Sequence, residues 1–300
     1  MLVAVLIAAV TVAFPRNGQH LSSVTRCYAI GATDGGETNL VIQGRAVPVF
    51  EGGGWVTMLD VVPGENTIDV GGTQLKLIVD PPQSTLPSSE STPPRVYSKL
   101  EYAADQPKAW VPGREPSDFV IVLDAGHGGD ALGAVSPHGR PEKEVNLLLT
   151  RELAELLREK GFRVVLTRES DVAVPLYDRP KVAHAVHADA FISIHHNAPP
   201  FDGNPLDFRY HAVYAWNGIG EELARAINAR MATGFGETLK NNGVVHANFA
   251  VTRNPEIPSC LVEVDFITTP EAEEACWNSE RRRKVAASIA EGVLDWTKRN

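Results

Sequence analysis

Three hundred residues with a formal net charge of −9 are more than one ordinary core needs and suit two domains. At 43% hydrophobic and 22% charged residues the composition is globular, since a disordered chain carries too few apolar groups to offset the entropy of ordering. The acidic balance argues against a nucleic-acid partner, whose phosphates draw on clustered Lys and Arg. Arg281, Arg282, Arg283 and Lys284 form one basic run, read as the solvated face of a helix. Cys27, Cys260 and Cys276 give neither a disulfide framework nor the C-x-x-C spacing of a structural metal site.

Residues 1–14, MLVAVLIAAVTVAF, have the length and apolarity of an export signal and are too short for a bilayer, which takes about 20 residues. They predict an exported protein, periplasmic or extracellular, with no stable membrane span; a buried strand or helix and an anchor are the other readings. Residues 15–37 give no clear assignment. Residues 38–80 alternate strand-length runs (NLVIQG, WVTMLDVV, TIDV, TQLKLIV) with Gly and Pro-Gly-Glu-Asn turns, which predicts a small all-β module. VPGENTIDV resembles a stretch of the immunoglobulin-like modules attached to exported bacterial enzymes, and a spacer or packing role is expected of it. Residues 81–117 are rich in Pro, Ser and Glu and read as a linker.

From residue 118 to 300 strand-like and helix-like segments alternate, which predicts an α/β domain with a mixed, mostly parallel central sheet and helices on both faces. A helix is expected from Glu144, with Val145, Leu148, Leu149, Leu153, Leu156 and Leu157 on one face and Gly161 as its stop. FVIVLDA and AFISIHH are nearly all apolar, as central strands covered on both sides must be.

Sites on open α/β sheets gather at the carboxyl ends of strands. Three such ends carry unusual side chains: Asp124 to Gly129 with His127, Ser193 to Asn197 with His195 and His196, and Leu261 to Asp265 with Glu263. Two His and a carboxylate leave a fourth coordination position for water, which suits catalytic zinc, and an unligated carboxylate beside them can serve as base. Side chains alternate along a strand, so only one of His195 and His196 is expected to face such a site. From the residues alone the acidic ligand stays open between Glu142, Glu144 and Asp124. His184 and His187 share a helix face at a spacing of three and are read as packing beside AFISIHH rather than as ligands.

The segments LDAGHGG, GAVSPHGRPEKEVNL, TRESDVAVPLYDRPKVAHAVHADAFISIHHNA and PSCLVEVDFITTPEAEE occur in this order between Val120 and about Trp296. In this region the chain resembles the zinc-dependent N-acetylmuramoyl-L-alanine amidases. The resemblance implies one Zn2+ held by His127, Glu142 and His195, and Glu263 as general base. It also implies peptidoglycan as substrate, cut at the amide between N-acetylmuramic acid and L-alanine. His196 then takes a structural or substrate-contact role, Arg253 is a candidate for a stem-peptide carboxylate, and Asp124 and Asn197 are candidates for hydrogen bonds that fix the imidazole tautomers. Some family members carry a long helical insertion that blocks the metal; none is evident between His196 and Tyr210, so no activator protein is expected. Asp265 and the pair Thr268 and Thr269 depart from the residues common at those positions, and Pro180 after Arg179 marks a helix start. The rival readings are a zinc peptidase or amidohydrolase acting on another amide, and a non-catalytic wall-binding protein.

Overall fold

The structure, a computed structural model, describes residues 9–34, 36, 38–81, 113–216 and 218–299. Its N-terminal part is a succession of short strands: β1 (Val10–Phe14), β2 (Gln19–Leu21), β3 (Arg26–Thr33), β4 (Asn39–Ile42), β5 (Arg45–Pro48), β6 (Gly54–Asp60), β7 (Gly64–Val70) and β8 (Thr73–Val79). They form a three-stranded sheet, β1-β3-β6, and a five-stranded sheet, β2-β8-β7-β4-β5. The two sheets share a core around Trp55, Leu59, Leu21, Leu75 and Leu77. The Pro-Gly-Glu-Asn turn before β7 is closed by Asn66, whose side chain accepts from the Val62 N–H (3.0 Å) and donates to the Val62 carbonyl (2.8 Å).

The all-β module therefore starts at Val10 and not at residue 38. Val10–Phe14, placed by composition in an export signal, is a strand paired antiparallel with β3, Val10 opposite Thr33. An apolar run of this length serves either purpose, and the partner that decides it lies twenty residues further along. Residues 1–8 of the expected signal and residues 82–112 of the expected linker lie outside the described residues. The three-stranded sheet is buried on both faces: opposite the shared core, Tyr28, Ile30 and Val56 pack with Phe14 and Met58. That is why β3 is buried from Cys27 to Thr33 without the polar alternation of a surface strand.

The second part contains β9 (Val120–Ala125), α1 (Glu142–Glu159), β10 (Arg163–Leu166), α2 (Arg179–Ala185), β11 (Ala190–Asn197), β12 (Tyr210–Ala215), α3 (Gly218–Phe235), β13 (Lys240–His246), β14 (Ser259–Phe266), α4 (Pro270–Trp277) and α5 (Ser279–Arg299). One sheet runs β10-β9-β11-β14-β12-β13. Its pairs are parallel except β12 with β14, which is the mixed, mostly parallel sheet expected. One face is covered by α1, α3 and α5 through Leu149, Leu153, Leu223, Ile227, Ile289 and Val293. The other is covered by Ala183 of the short α2 and by Val251 and Ile257 of the loop before β14. Helix α1 begins two residues before the expected Glu144, and its buried stripe is Val145, Leu149, Leu153 and Leu157, with Leu148 turned out. Among the described residues no helix is long and apolar enough to cross a membrane.

Among the described residues the two parts meet around Phe201 and around His138. The Tyr28 N–H donates to the Phe201 carbonyl (2.9 Å), and the Phe14 and Phe201 rings stack at 5.7 Å. Elsewhere His138 bridges the halves, its Nε2 2.9 Å from the Gly52 carbonyl oxygen and its Nδ1 2.8 Å from Glu273 Oε2. Desolvation opposes the imidazolium, but the Glu273 hydrogen bond, the Gly52 carbonyl and the Glu273 charge outweigh it and the repulsion of Arg140, so the His138 pKa is raised. A group raised on folding contributes stability below its unfolded pKa of about 6.5, and that contribution is lost as pH rises through the folded value. The gap in thermal midpoint between the wild type and His138→Gln is therefore expected to be wider at pH 6 than at pH 8.5; a gap that widens with pH would contradict the bridge.

Candidate metal centre

Strand β9 lies between β10 and β11, is buried along its whole length and ends at Ala125, where the chain must turn out of the sheet. His127 makes that turn with φ +62°, a left-handed conformation uncommon outside glycine and frequent at functional sites. Two buried arginines hold the turn by its carbonyls. Arg168 donates to Ala125 O (2.8 Å) and Gly126 O (2.9 Å), and Arg179 donates to Ala125 O (2.9 Å) and His127 O (2.8 Å). Asp124, fully buried, receives Arg179 Nη1 (2.8 Å) and the hydroxyls of Thr167 and Ser193 (2.6 Å each). Asp124 thus corrects the expectation of a carboxylate on an imidazole: its oxygens are filled by a guanidinium and two hydroxyls, and it reaches the His127 turn through Arg179.

Glu142 is the first residue of α1, where the helix dipole favours a negative charge. Its carboxylate accepts from Ala134 N–H (2.9 Å), Asn146 Nδ2 (2.9 Å) and His196 N–H (3.1 Å). Two imidazoles face it, with His127 Nε2 3.2 Å from Oε2 and His195 Nδ1 3.0 Å from Oε1. Burial opposes ionisation, yet hydrogen bonds and charge from the two imidazoles prevail and hold Glu142 well below the usual carboxylate range. Glu144, the alternative acid, does not join the cluster. The cradle has no room for larger groups: a Cβ on Gly133, whose φ is +71°, would lie 2.4 Å from Glu142 Oε2 and 2.7 Å from His127 Cδ2, and one on Gly126 would lie 2.3 Å from the His195 ring.

Only His195 of the two adjacent histidines joins His127 and Glu142, as alternation along β11 requires, while His196 is the more buried of the pair. The register with β14 shifts between His195 and Asn197, and this irregularity lets consecutive histidines both reach α1. His195 meets Glu142, while His196 Nδ1 lies 2.8 Å from Asn146 Oδ1. His196 is 3% exposed, and burial lowers its pKa to about 3, so it is neutral and donates from Nδ1. It stands beside Asn146, which itself donates to Glu142 Oε1. Asn197 corrects a second expectation: its Oδ1 takes the N–H of Ala198 (2.8 Å) rather than meeting an imidazole, because the chain turns away at once.

Glu263 stands opposite His195 in the parallel β11/β14 register. Its Oε2 is buried without a hydrogen-bond partner, and its pKa is raised well above the usual range, by burial first and by the charge of Glu142 second. His127, Glu142, His195, His196, Asn197 and Glu263 all line one cleft of about 720 Å³. Arg253 does not line it; its guanidinium is held by Asn248, Nε to Oδ1 at 2.5 Å. His184 packs near Glu256 at 3.9 Å, away from the cluster.

The ligating atoms of His127, Glu142 and His195 lie within 4.8 Å of one another. Donors around one ion at roughly 2.0–2.1 Å in a tetrahedral set sit about 3.3 Å apart. His195 Nδ1 lies 3.0 Å from Glu142 Oε1 and His127 Nε2 lies 3.2 Å from Oε2, so each imidazole stands close to that spacing from its own oxygen of the carboxylate. Two nitrogens and one oxygen are the donor set of a catalytic zinc site, and all three residues line the cleft.

Residues 121–295, more than half of the chain, match the family described as N-acetylmuramoyl-L-alanine amidase. The chain belongs to this family. An N-acetylmuramoyl-L-alanine amidase of Escherichia coli K12, AmiA, is 32% identical over 222 residues, which cover 59% of this chain and 75% of that protein. AmiC of Neisseria meningitidis serogroup B is 31% identical over 278 residues, covering 75% of this chain and 66% of that one. Among solved structures, the amidase AmiC2 of Nostoc punctiforme superposes with a TM-score of 0.56 at 34% identity, over 61% of this chain and 98% of that chain. An amidase from Clostridium difficile 630 gives 0.56 at 31% identity, over 59% and 96%.

Sequence reasoning missed three groups of residues that build this amidase cleft. Asn146 was within reach of it, since a spacing of four on α1 puts it on the face of Glu142. The buried Arg168 and Arg179 gave no signal, because charged residues are usually exposed. Phe14, Arg16, Asn17 and Tyr28 of the β module, which also line the cleft, sit far along the chain from every motif.

Proposed function

We propose that the protein is an exported zinc-dependent peptidoglycan hydrolase that cleaves the amide between N-acetylmuramic acid and the L-alanine of the stem peptide. The carrying observation is a pre-spaced His127, Glu142 and His195 triad facing a carboxylate, Glu263, whose Oε2 has no partner. When a Zn2+ is held by the triad, it supplies a Lewis acid that polarises a carbonyl and makes water acidic near neutral pH. Glu263 takes the proton of the attacking water and returns it to the departing alanine nitrogen; its raised pKa keeps that proton transferable. Glu142 keeps its charge at the ligand position; Asn146 Nδ2 and the His196 N–H fix its Oε1, and the Ala134 N–H its Oε2. The N–H donors on Glu142 and the arginines on the His127 turn hold the ligand directions before substrate arrives.

The connection from β11 to β12 carries only a single 3-10 turn, Pro205–Asp207, which supports a cleft that works without an activator. The two-sheet packing around Trp55 supports the immunoglobulin-like reading of the module. The test is mass spectrometry of muropeptide digests with and without chelator. Release of free stem peptide that stops on chelation and returns with zinc is expected. Cleavage inside the peptide instead would establish the zinc peptidase reading, and wall binding without turnover in zinc-loaded protein the non-catalytic one. His127→Ala is expected to lower zinc content, read by elemental analysis; a full complement would remove it from the ligand set.

A further inference from the structure

The catalytic cleft is closed on one side by the N-terminal module. Phe14, Tyr28 and Phe201 form an aromatic wall, the first two rings stacked at 4.6 Å and the Tyr28 N–H bonded to the Phe201 carbonyl (2.9 Å). From this wall a tight turn, Arg16 to Gln19, projects into the rim of the cleft. The turn is fixed at four points. Arg16 N–H donates to Gln19 Oε1 (2.9 Å) and Gln19 N–H to Arg16 O (2.9 Å), while Lys76 N–H donates to Asn17 Oδ1 (2.8 Å) and Gly18 N–H to Lys76 O (2.8 Å). The segment that bears Arg16 is thereby anchored to β8 and held in place before any ligand arrives.

Arg16 is the single Lys or Arg among the residues lining the cleft, and no acidic side chain among the described residues pairs with it. The same lining holds Glu142 and Glu263 at the metal cluster. Arg16 is thus the fixed cation of the lining outside that cluster, and it attracts an anionic end of a substrate to the module's side of the cleft.

We propose that the Arg16–Gln19 turn is a substrate subsite in which Arg16 receives a carboxylate of the peptide half of the substrate, so that the β module sets which stem peptides are cut. This rests on the amidase reading above. The task suits a guanidinium, which pairs with a carboxylate through two parallel N–H bonds. Arg253, whose side chain is committed to Asn248 outside the cleft, does not fill this role.

The test uses the full-length, zinc-loaded protein on two substrates: a muropeptide with free peptide carboxylates and the same muropeptide with those groups converted to carboxamides. The wild type is expected to prefer the acid by about tenfold in kcat/KM, carried by KM, the scale of one charge-assisted hydrogen bond. Arg16→Ala brings the ratio near one, Arg16→Lys recovers part of it, and Arg16→Glu inverts it. Arg26→Ala, elsewhere on the module beside Asp60 (3.8 Å), keeps the ratio. Equal use of acid and amide by the wild type, or full preference in Arg16→Ala, overturns the subsite. Calorimetric binding of the released peptide, as acid and as amide, to the same proteins reads the subsite without turnover. An acid preference in binding that depends on Arg16, with no release from either muropeptide, supports the subsite and overturns the amidase reading.

Discussion

Glu263→Gln is expected to lower kcat for release of stem peptide by about 10²- to 10⁴-fold, the usual contribution of a positioned proton carrier, while the zinc content of the protein stays at the wild-type level. The substitution keeps the shape of a side chain set between β11 and β12 and removes only its ability to carry a proton. Glu263 is not a member of the His127, Glu142 and His195 cluster, so metal content and turnover should separate in this variant and fall together in His127→Ala. Elemental analysis beside a muropeptide digest reads both. An unimpaired Glu263→Gln enzyme would take the residue out of the mechanism.

Arg179→Met is expected to destabilise the protein by about 3–5 kcal/mol, the cost of leaving a buried charge without its partner. Asp124 has no exposed surface, and among the described residues Arg179 is the one cation in ion-pair contact with it, at 2.8 Å. The same guanidinium ties down the carbonyls of Ala125 and His127, so activity should suffer in the molecules that remain folded. Denaturant unfolding of Arg179→Met against the double variant Asp124→Asn, Arg179→Met checks the cause. The double variant should recover part of the loss, because an amide is cheaper to bury unpaired than a carboxylate. No recovery would mean that the lost carbonyl contacts, not the stranded charge, set the cost.

What the sequence made legible was chiefly what a strand or a helix imposes by itself. The apolar runs of β9 and β11 and the leucine stripe of α1 announced a covered sheet, and the motif order placed His127, Glu142, His195 and Glu263 around what proves to be one cleft. Features that depend on a distant partner were not legible. Val10–Phe14 is apolar enough for a signal segment, and only its pairing with β3 makes it a strand. Alternation put only one of His195 and His196 at the cluster, and His195 is the one there, but the hydrogen bond of His196 to Asn146 on α1 gave no sign in the sequence. Asp124 looked like a partner for an imidazole because it stands three residues from His127, but Arg179, fifty-five residues on, takes the carboxylate first.

The contact of Tyr28 and Phe14 with Phe201 bears on how such enzymes are assembled from parts. A hydrolytic domain that borrows a wall of its working cleft from a neighbour is not a free-standing cassette. Grafted behind a different leader module it would keep its metal ligands and its proton carrier and lose the rim that bears Arg16. With Arg16 as the peptide subsite proposed above, an exchange of the N-terminal module changes the substrate range of the enzyme while its metal ligands stay in place.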